Sequence, residues 1–323
     1  MTRREARLHI PAKARKRNLN RHRIIKTYGG PVVLASRTRS RWPYSLLREM
    51  PVVHSRSRLT ADLRALGVGL GDVVMVHASL RAIGSIEVGA AGVVQALERA
   101  IGSTGTLLMN LGAWDDFDWV NTRPEQQRAD LLADAPPFDS HATPADPDVG
   151  VLAEVFRQLP RTVVNDHPDA RFGARGWLAR ALLAEPLPWD DYYGPGSILE
   201  RFVRAQGKVL RVGADPDTVT LLHLAENLVE LPSKRRVLRH HKVVAPNRTV
   251  LTRTVSCLDD TDGIVDWPGE DYFAAILHDY LTHHGANIGR VGNAHSELID
   301  AAELLDHAVN WMATNFNSQS SSP

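Results

Sequence analysis

Apolar positions in residues 51–323 recur with two periods that take turns along the chain. Leu63 and Leu66 follow Thr60 at helical spacing and Gly67 closes the run, which predicts a short helix with Thr60 as N-cap and Gly67 as a left-handed stop. Asp72–Val76, apolar from Val73 onward, reads as a buried strand and His77–Gly84 as a turn. Gly89–Ile101, with Val93, Val94, Leu97 and Ile101 on one face, reads as a helix, and Thr106–Met109 as a second strand. Further helices are predicted at Val149–Leu159, Trp177–Ala184, Ser197–Gln206, Thr218–Leu228, Asp271–His283 and Ala301–Asn315, and strands at Lys208–Val212, Thr249–Cys257 and Asn287–Val291. Between these, Asn110–Asp148 is rich in Pro, Asp, Thr and Trp and has no sustained period. A loop of that length is usually a lid or a binding loop. Strands alternating with helices predict a layered α/β domain, whose strand order this pattern does not reveal.

Composition narrows the class. Of 323 residues, 43% are hydrophobic and 23% charged, as in a soluble globular protein, and no apolar run approaches the roughly 20 residues that span a bilayer. A single cysteine, Cys257, excludes an internal disulfide or a thiolate metal cluster and suits a reducing cytoplasm. The 14 histidines show no H-E-x-x-H spacing, so no metal is expected. The net charge of +1 hides an asymmetry: residues 1–50 hold 14 of the 38 basic residues but only Glu5 and Glu49 among the 37 acids. Residues 51–323 therefore carry 24 basic and 35 acidic side chains, a net of −11, which repels nucleic acid and attracts polycations. The basic segment reads as a nucleic-acid arm, an organelle-targeting peptide, or sequence upstream of a misassigned start at Met50. The last is favoured, because Met50 immediately precedes the first well-patterned helix. The expected organisation is thus a basic extension over 1–50, disordered or the product of a misassigned start, and one catalytic domain over 51–323.

Several segments carry candidate chemistry. Arg64–Gly69 matches the R/Q-x-x-G-x-G/A loop of a large acetyl-CoA-binding superfamily, but it leaves a helix and enters a strand, the reverse of what anion binding at a helix N-terminus needs. His77-Ala78-Ser79-Leu80-Arg81-Ala82-Ile83-Gly84 leaves a buried strand, the place where ligands of open α/β sheets bind; an ordinary strand-to-helix turn is the plainer reading. At another such junction, Gly213–Thr218 leads into a helix that carries His223 and Glu226 on one face. A histidine oriented by a carboxylate is a workable general base, although buried histidines are more often structural. Asp259, Asp260 and Asp262 form an Asp-rich turn, His167 and Asp169 lie in a turn, and Lys234-Arg235-Arg236 is either a solvated charge run or a phosphate clamp. In Trp114–Trp119, aromatic rings flank Asp115, Asp116 and Asp118, which suits a sugar bearing ammonium groups and equally a plain acidic loop. No G-x-S-x-G or Walker A sequence occurs.

Taken in order from about Leu59 to Phe316, these segments resemble the aminoglycoside 3-N-acetyltransferase family. The resemblance rests on Val76–Gly84, Pro137-Phe138-Asp139, His167-Pro168-Asp169-Ala170, Gly196-Ser197, Leu222-His223-Leu224-Ala225-Glu226 and the basic turn Pro232–Arg236. It implies a layered αβα-type domain with a mixed sheet, distinct from the common GNAT fold, that moves an acetyl group from acetyl-CoA to the 3-amino group of an aminoglycoside antibiotic and confers resistance. It further implies His223 as base with Glu226 beside it, an aspartate from the later acidic turn (Asp260 or Asp262) holding the imidazole, and an acetyl-CoA site on His77, Ala78, Ser79, Arg81, Ala82 and Gly84. Backbone N–H groups near Ser79 are expected to stabilise the oxyanion. Asp115, Asp116, His167 and Asp169 are expected to meet the polycationic substrate, the protein being cytoplasmic, metal-free and a monomer or homodimer. Two other readings stay open: acetylation of a non-antibiotic amine metabolite, and nucleic-acid binding through the basic N-terminus.

Overall fold

The computed structural model describes residues 52–113, 118–269 and 271–319. The readings made for residues 1–50, and for Asp115 and Asp116, fall outside them. The chain opens with β1 (Val53–His54), α1 (Arg56–Ala65), β2 (Val73–Ala78), α2 (Leu80–Ile83), β3 (Ser85–Ile86), α3 (Gly89–Ile101) and β4 (Thr106–Asn110). Next come α4 (Glu125–Ala133), α5 (Val151–Gln158), β5 (Val163–Val164), β6 (Phe172–Gly176), α6 (Ala179–Leu182), α7 (Ile198–Arg204) and β7 (Lys208–Val212). Last are α8 (Leu222–Leu228), β8 (Arg236–Val244), β9 (Val250–Leu258), α9 (Tyr272–His283), β10 (Asn287–Val291), β11 (Ala294–Asp300) and α10 (Ala301–Gln319).

A seven-stranded mixed sheet runs β10-β11-β7-β2-β4-β6-β5. Its centre, β7-β2-β4, is parallel, and the strands outside it pair antiparallel. The apolar run of β2 explains the layering. Val73 and Met75 enter one core with α7, α8, α9 and α10, while Val74 and Val76 enter a second core with α1, α3 and α5. Successive side chains of a strand point to opposite faces, so a continuous apolar run is what a sheet covered on both sides requires. The result is the expected αβα sandwich with a mixed sheet.

The observed elements depart from the expected ones where polar residues are buried or apolar ones are few. Helix α1 begins earlier, at a cap formed by Ser55, whose Oγ accepts from the Arg58 N–H; Thr60 lies inside the helix and donates to the Arg56 carbonyl. The His77–Gly84 turn contains the single-turn helix α2, and the 110–148 segment contains α4, which buries only Leu132. Strands β6, β8 and β11 carry no clean apolar alternation, because Arg175, Arg239, His241, Ser296 and Glu297 are buried in them.

The long 111–150 excursion is tied down by Arg171, which is fully buried and donates to the carbonyls of Gly112, Ser140, Thr143 and Pro144. Burial pulls the Arg171 pKa down to about 10, with Arg157 adding to the effect. The same excursion docks on the β8–β9 ribbon: the Phe138 N–H donates to the Lys242 carbonyl and its C=O accepts from Val244, and Arg248 pairs with Asp139 at 2.7 Å. Replacing Arg171 by Ala leaves four carbonyls short of a donor. We expect a loss of about 2–4 kcal/mol in urea unfolding together with new proteolytic cleavage within 111–150. A wild-type midpoint and cleavage pattern would contradict this role.

Candidate active site

The parallel strands β7, β2 and β4 all end at the same sheet edge. The chain leaves β2 toward β4 on one side and leaves β7 toward β11 on the other, so β2 and β7 flank the point where the connections diverge. Ligands of open α/β sheets bind in the crevice at such a point. Two junctions meet there. After β2, Ser79 caps α2, its Oγ accepting from the Ala82 N–H, and the Ser79 N–H donates to the Val212 carbonyl at the end of β7. After β7, Gly213 adopts φ +60, and a Cβ there would lie 2.4 Å from that of Ala82. Only glycine lets the two junctions approach so closely.

This geometry fixes what the predicted acetyl-CoA residues can offer. His77 and Ala78 are the last residues of β2, Arg81 and Ala82 lie in α2, and Gly84 closes it with φ +98. Burial, reinforced by Arg211, lowers the His77 pKa to about 4, so this ring is neutral. Its Nε2 is a buried polar atom without a hydrogen-bond partner among the described residues. The amides of Ser79, Ile83 and Gly84 are used by Val212, Ser79 and Leu80 carbonyls, and that of Ala82 by Ser79 Oγ. The expected oxyanion donors therefore do not include Ser79 itself: the first-turn amides of Leu80 and Arg81 are the ones that make no intrahelical bond.

The β7 junction delivers the imidazole. Helix α8 sets His223 and Glu226 one turn apart, and His223 Nδ1 donates to Glu226 Oε2 at 2.7 Å. Glu226 is 1% exposed, and its other oxygen accepts from the Tyr272 hydroxyl, which itself accepts from the Ile264 N–H. Tyr193 stacks flat on the His223 ring, with centroids 4.8 Å apart, and Phe273 meets it edge-on. Burial works against a charged imidazole, but Glu226 and, more weakly, Asp260 outweigh it and raise the His223 pKa above 6.5, with Arg239 opposing them. With Nδ1 donating to the carboxylate, Nε2 is the open, basic nitrogen.

The acidic turn contributes differently from expectation. Neither Asp260 nor Asp262 holds the imidazole; Glu226 does. Asp260 accepts from the Tyr192 hydroxyl at 2.9 Å and pairs with Arg239 at 2.5 Å, so it adds negative potential near His223 without a direct bond to it. Asp262 is exposed, its N–H donating to Asp259 and its carbonyl accepting from Arg235.

His167 and Asp169, expected at the substrate, are used inside the protein. His167 Nδ1 accepts from the Asp169 and Ala170 N–H groups and its Nε2 donates to the Trp189 carbonyl, while burial lowers its pKa to about 4. Asp169 sits 2.9 Å from His241 and, although burial opposes its charge, that pairing holds its pKa at about 2. Its backbone carbonyl accepts from the Tyr193 hydroxyl, so the pair braces the ring that stacks on His223. The basic turn is likewise engaged by the protein's own groups: Lys234 caps α8 through the Glu226 and Asn227 carbonyls, Arg235 holds the Asp262 and Gly263 carbonyls, and the exposed Arg236 pairs with Asp191. Cys257 is buried, and its thiol is pushed up to about 12 by that burial, so it is no nucleophile.

Sequence reading missed Tyr192, Tyr193, Tyr272, Phe273, Arg239 and His241. Neighbouring positions gave no signal for them, since each meets the His223–Glu226 pair or its supports across long stretches of chain.

Residues 75–313 match the family model described as Aminoglycoside 3-N-acetyltransferase. Aminoglycoside N(3)-acetyltransferase VII of Streptomyces paromomycinus is 37% identical over 279 residues, covering 83% of this chain and 94% of its own. Among solved structures, AAC-IIIb in its binary complex with CoASH is 35% identical with a TM-score of 0.76, covering 82% of this chain and 98% of that one. AAC-VIa bound to sisomicin is 36% identical with a TM-score of 0.75, covering 82% and 99%.

If the Glu226 carboxylate sets the basicity of His223, NMR titration will place the His223 midpoint above 6.5 in the wild type and lower it in Glu226→Gln. The midpoints of His77 and His167, both at about 4, should not move. An unchanged His223 midpoint would contradict the assignment.

Proposed function

The chain belongs to the aminoglycoside 3-N-acetyltransferase family, and from that premise we propose that it transfers the acetyl group of acetyl-CoA directly to the 3-amino group of an aminoglycoside. The observation that carries the mechanism is the His223–Glu226 hydrogen bond at the carboxyl edge of the sheet. An ammonium is not a nucleophile. His223 Nε2 takes a proton from the 3-ammonium group or from the amine as it attacks, and the nitrogen lone pair forms a C–N bond to the thioester carbonyl. Glu226 holds the ring in the tautomer that leaves Nε2 basic and stabilises the imidazolium that results. When the tetrahedral intermediate collapses, the C–S bond breaks and the thiolate of CoA leaves, taking back a proton from the imidazolium.

The turn after β2 supplies the acetyl-CoA side. The Leu80 and Arg81 amides face the developing oxyanion or a phosphate, and the neutral His77 ring offers a hydrogen bond to the amide-bearing arm of the cosubstrate. No covalent enzyme intermediate is involved, in keeping with the high pKa of the buried Cys257. The acceptor is drawn in by the net negative charge of residues 51–323 and meets Asp260 beside His223, with the acidic segment around Asp115 and Asp116 as a further contact. Acetylation turns a cationic amine into a neutral amide and so removes a charge from the antibiotic, which is the basis of resistance. The catalytic domain is residues 51–323, the segment 1–50 being an appended basic stretch. Among the described residues no helix is long and apolar enough to cross a membrane. A reducing cytoplasm, where acetyl-CoA is made, suits the single buried thiol.

Incubating the full chain with acetyl-CoA and either gentamicin or sisomicin should release free thiol only when both substrates are present, and NMR of the product should place the acetyl group on the 3-amino nitrogen. His223→Ala should lower kcat roughly 10²–10⁴-fold while acetyl-CoA still binds in calorimetry. Thiol release only with other amines would move the acceptor elsewhere, and wild-type turnover by His223→Ala would remove His223 as the base.

A further inference from the structure

At the opposite edge of the sheet, where β4 begins and β6 ends, a cleft of about 920 Å³ opens beside Gly105 and Gly176. That is the size of a small-molecule site. Arg56, Arg99, Arg161, Arg175 and Arg180 line it, with Glu98 as the sole acidic lining residue. Glu98 is already engaged, 2.7 Å from Arg175, which also donates to the Pro160 carbonyl and Thr162 Oγ1. Arg56 is tied to Gln95. Arg99, Arg161 and Arg180 are exposed, and their guanidinium groups make no ion pair among the described residues. Three cations without an ion pair thus line one cleft, on a domain where acids outnumber bases 35 to 24. Arg161 holds a left-handed backbone, φ +71, a conformation that a residue with a Cβ rarely adopts.

The rim adds a second chemistry. Trp177 is 76% exposed, and its backbone is pinned by donation to the Gly105 carbonyl at 3.1 Å. An exposed indole beside planar guanidinium groups is a platform on which a flat π system stacks. Arginine forks bind phosphate oxygens in pairs.

We propose that this cleft binds a nucleotide, with its phosphates on Arg99, Arg161 and Arg180 and its base on Trp177. The site is separate from the acetyl-transfer machinery. Strand β4 has five residues, so the two sheet edges are roughly 15 Å apart, and no lining residue is shared with His77–Gly84, His223, Glu226 or Tyr272.

Calorimetry on the full chain with ATP as probe, in saturating acetyl-CoA, tests the assignment. ATP should still bind. The double variant Arg99→Ala/Arg180→Ala should weaken it roughly tenfold or more, and Trp177→Ala roughly fivefold or more, with acetyl-CoA kinetics unchanged in both. Inorganic pyrophosphate should respond to the arginine variant and not to Trp177→Ala. Failure of ATP to bind once acetyl-CoA saturates the enzyme would overturn the proposal, since ATP would then be occupying the cosubstrate site. Affinity unmoved by the arginine variant would overturn it as well, as would ATP held by the basic segment 1–50. Affinity unmoved by Trp177→Ala would overturn the nucleotide assignment in favour of a bare anion site.

Discussion

A carboxylate almost wholly removed from water, that of Glu226, is the constraint around which the active site is organised. A buried anion is costly unless its oxygens are satisfied. Here one oxygen accepts from His223 and the other from Tyr272, and the Lys234 ammonium lies at the end of the same helix on the Glu226 and Asn227 carbonyls. The arrangement works in both directions. The carboxylate makes the imidazole a stronger base, and the proton taken up by that imidazole compensates the buried charge. Tyr193 and Phe273 enclose the ring, and Tyr193 is in turn fixed by the Asp169 backbone, while the Asp169 side chain lies 2.9 Å from His241. The His167–Asp169 turn thus holds the aromatic wall beside His223 through the Asp169 backbone carbonyl.

Sheet topology places this pair beside the turn assigned to acetyl-CoA. The switch between β2 and β7 opens a crevice, and Gly213 lets the end of β7 close upon Ala82, so backbone packing brings the two junctions of the proposed site together. The 111–150 excursion, anchored by Arg171 and docked on the β8–β9 ribbon, flanks the same edge with negatively charged sequence. The cleft at the other edge is lined mainly by arginines and has the opposite sign.

Strands β2, β4 and β7 and helix α3 are legible in the sequence because each buries a run or face of apolar residues. The His223–Glu226 pair was legible because both members lie within one turn of a helix. Strand β8 was not, since its inward positions include Arg239 and His241, whose partners Asp260 and Asp169 lie far along the chain. Strand β11 buries Ser296 and Glu297, the latter against Arg211, although the Gly292-Asn293 turn that leads into it is a recognisable hairpin signal. Tyr272 has no local sequence signal, because its contact with Glu226 spans 46 residues. The choice of Asp260 or Asp262 as the imidazole's partner followed the order of motifs, whereas the geometry turns on which carboxylate is buried within reach of Nδ1.

The most direct test of this account is a double-mutant cycle on kcat with acetyl-CoA and an aminoglycoside, using His223→Ala, Glu226→Gln and the two combined. If Glu226 acts through the imidazole, the double variant will be no slower than His223→Ala alone. Losses that multiply, leaving the double variant slower than either single one by the product of their effects, would show that the two residues act independently and would contradict it.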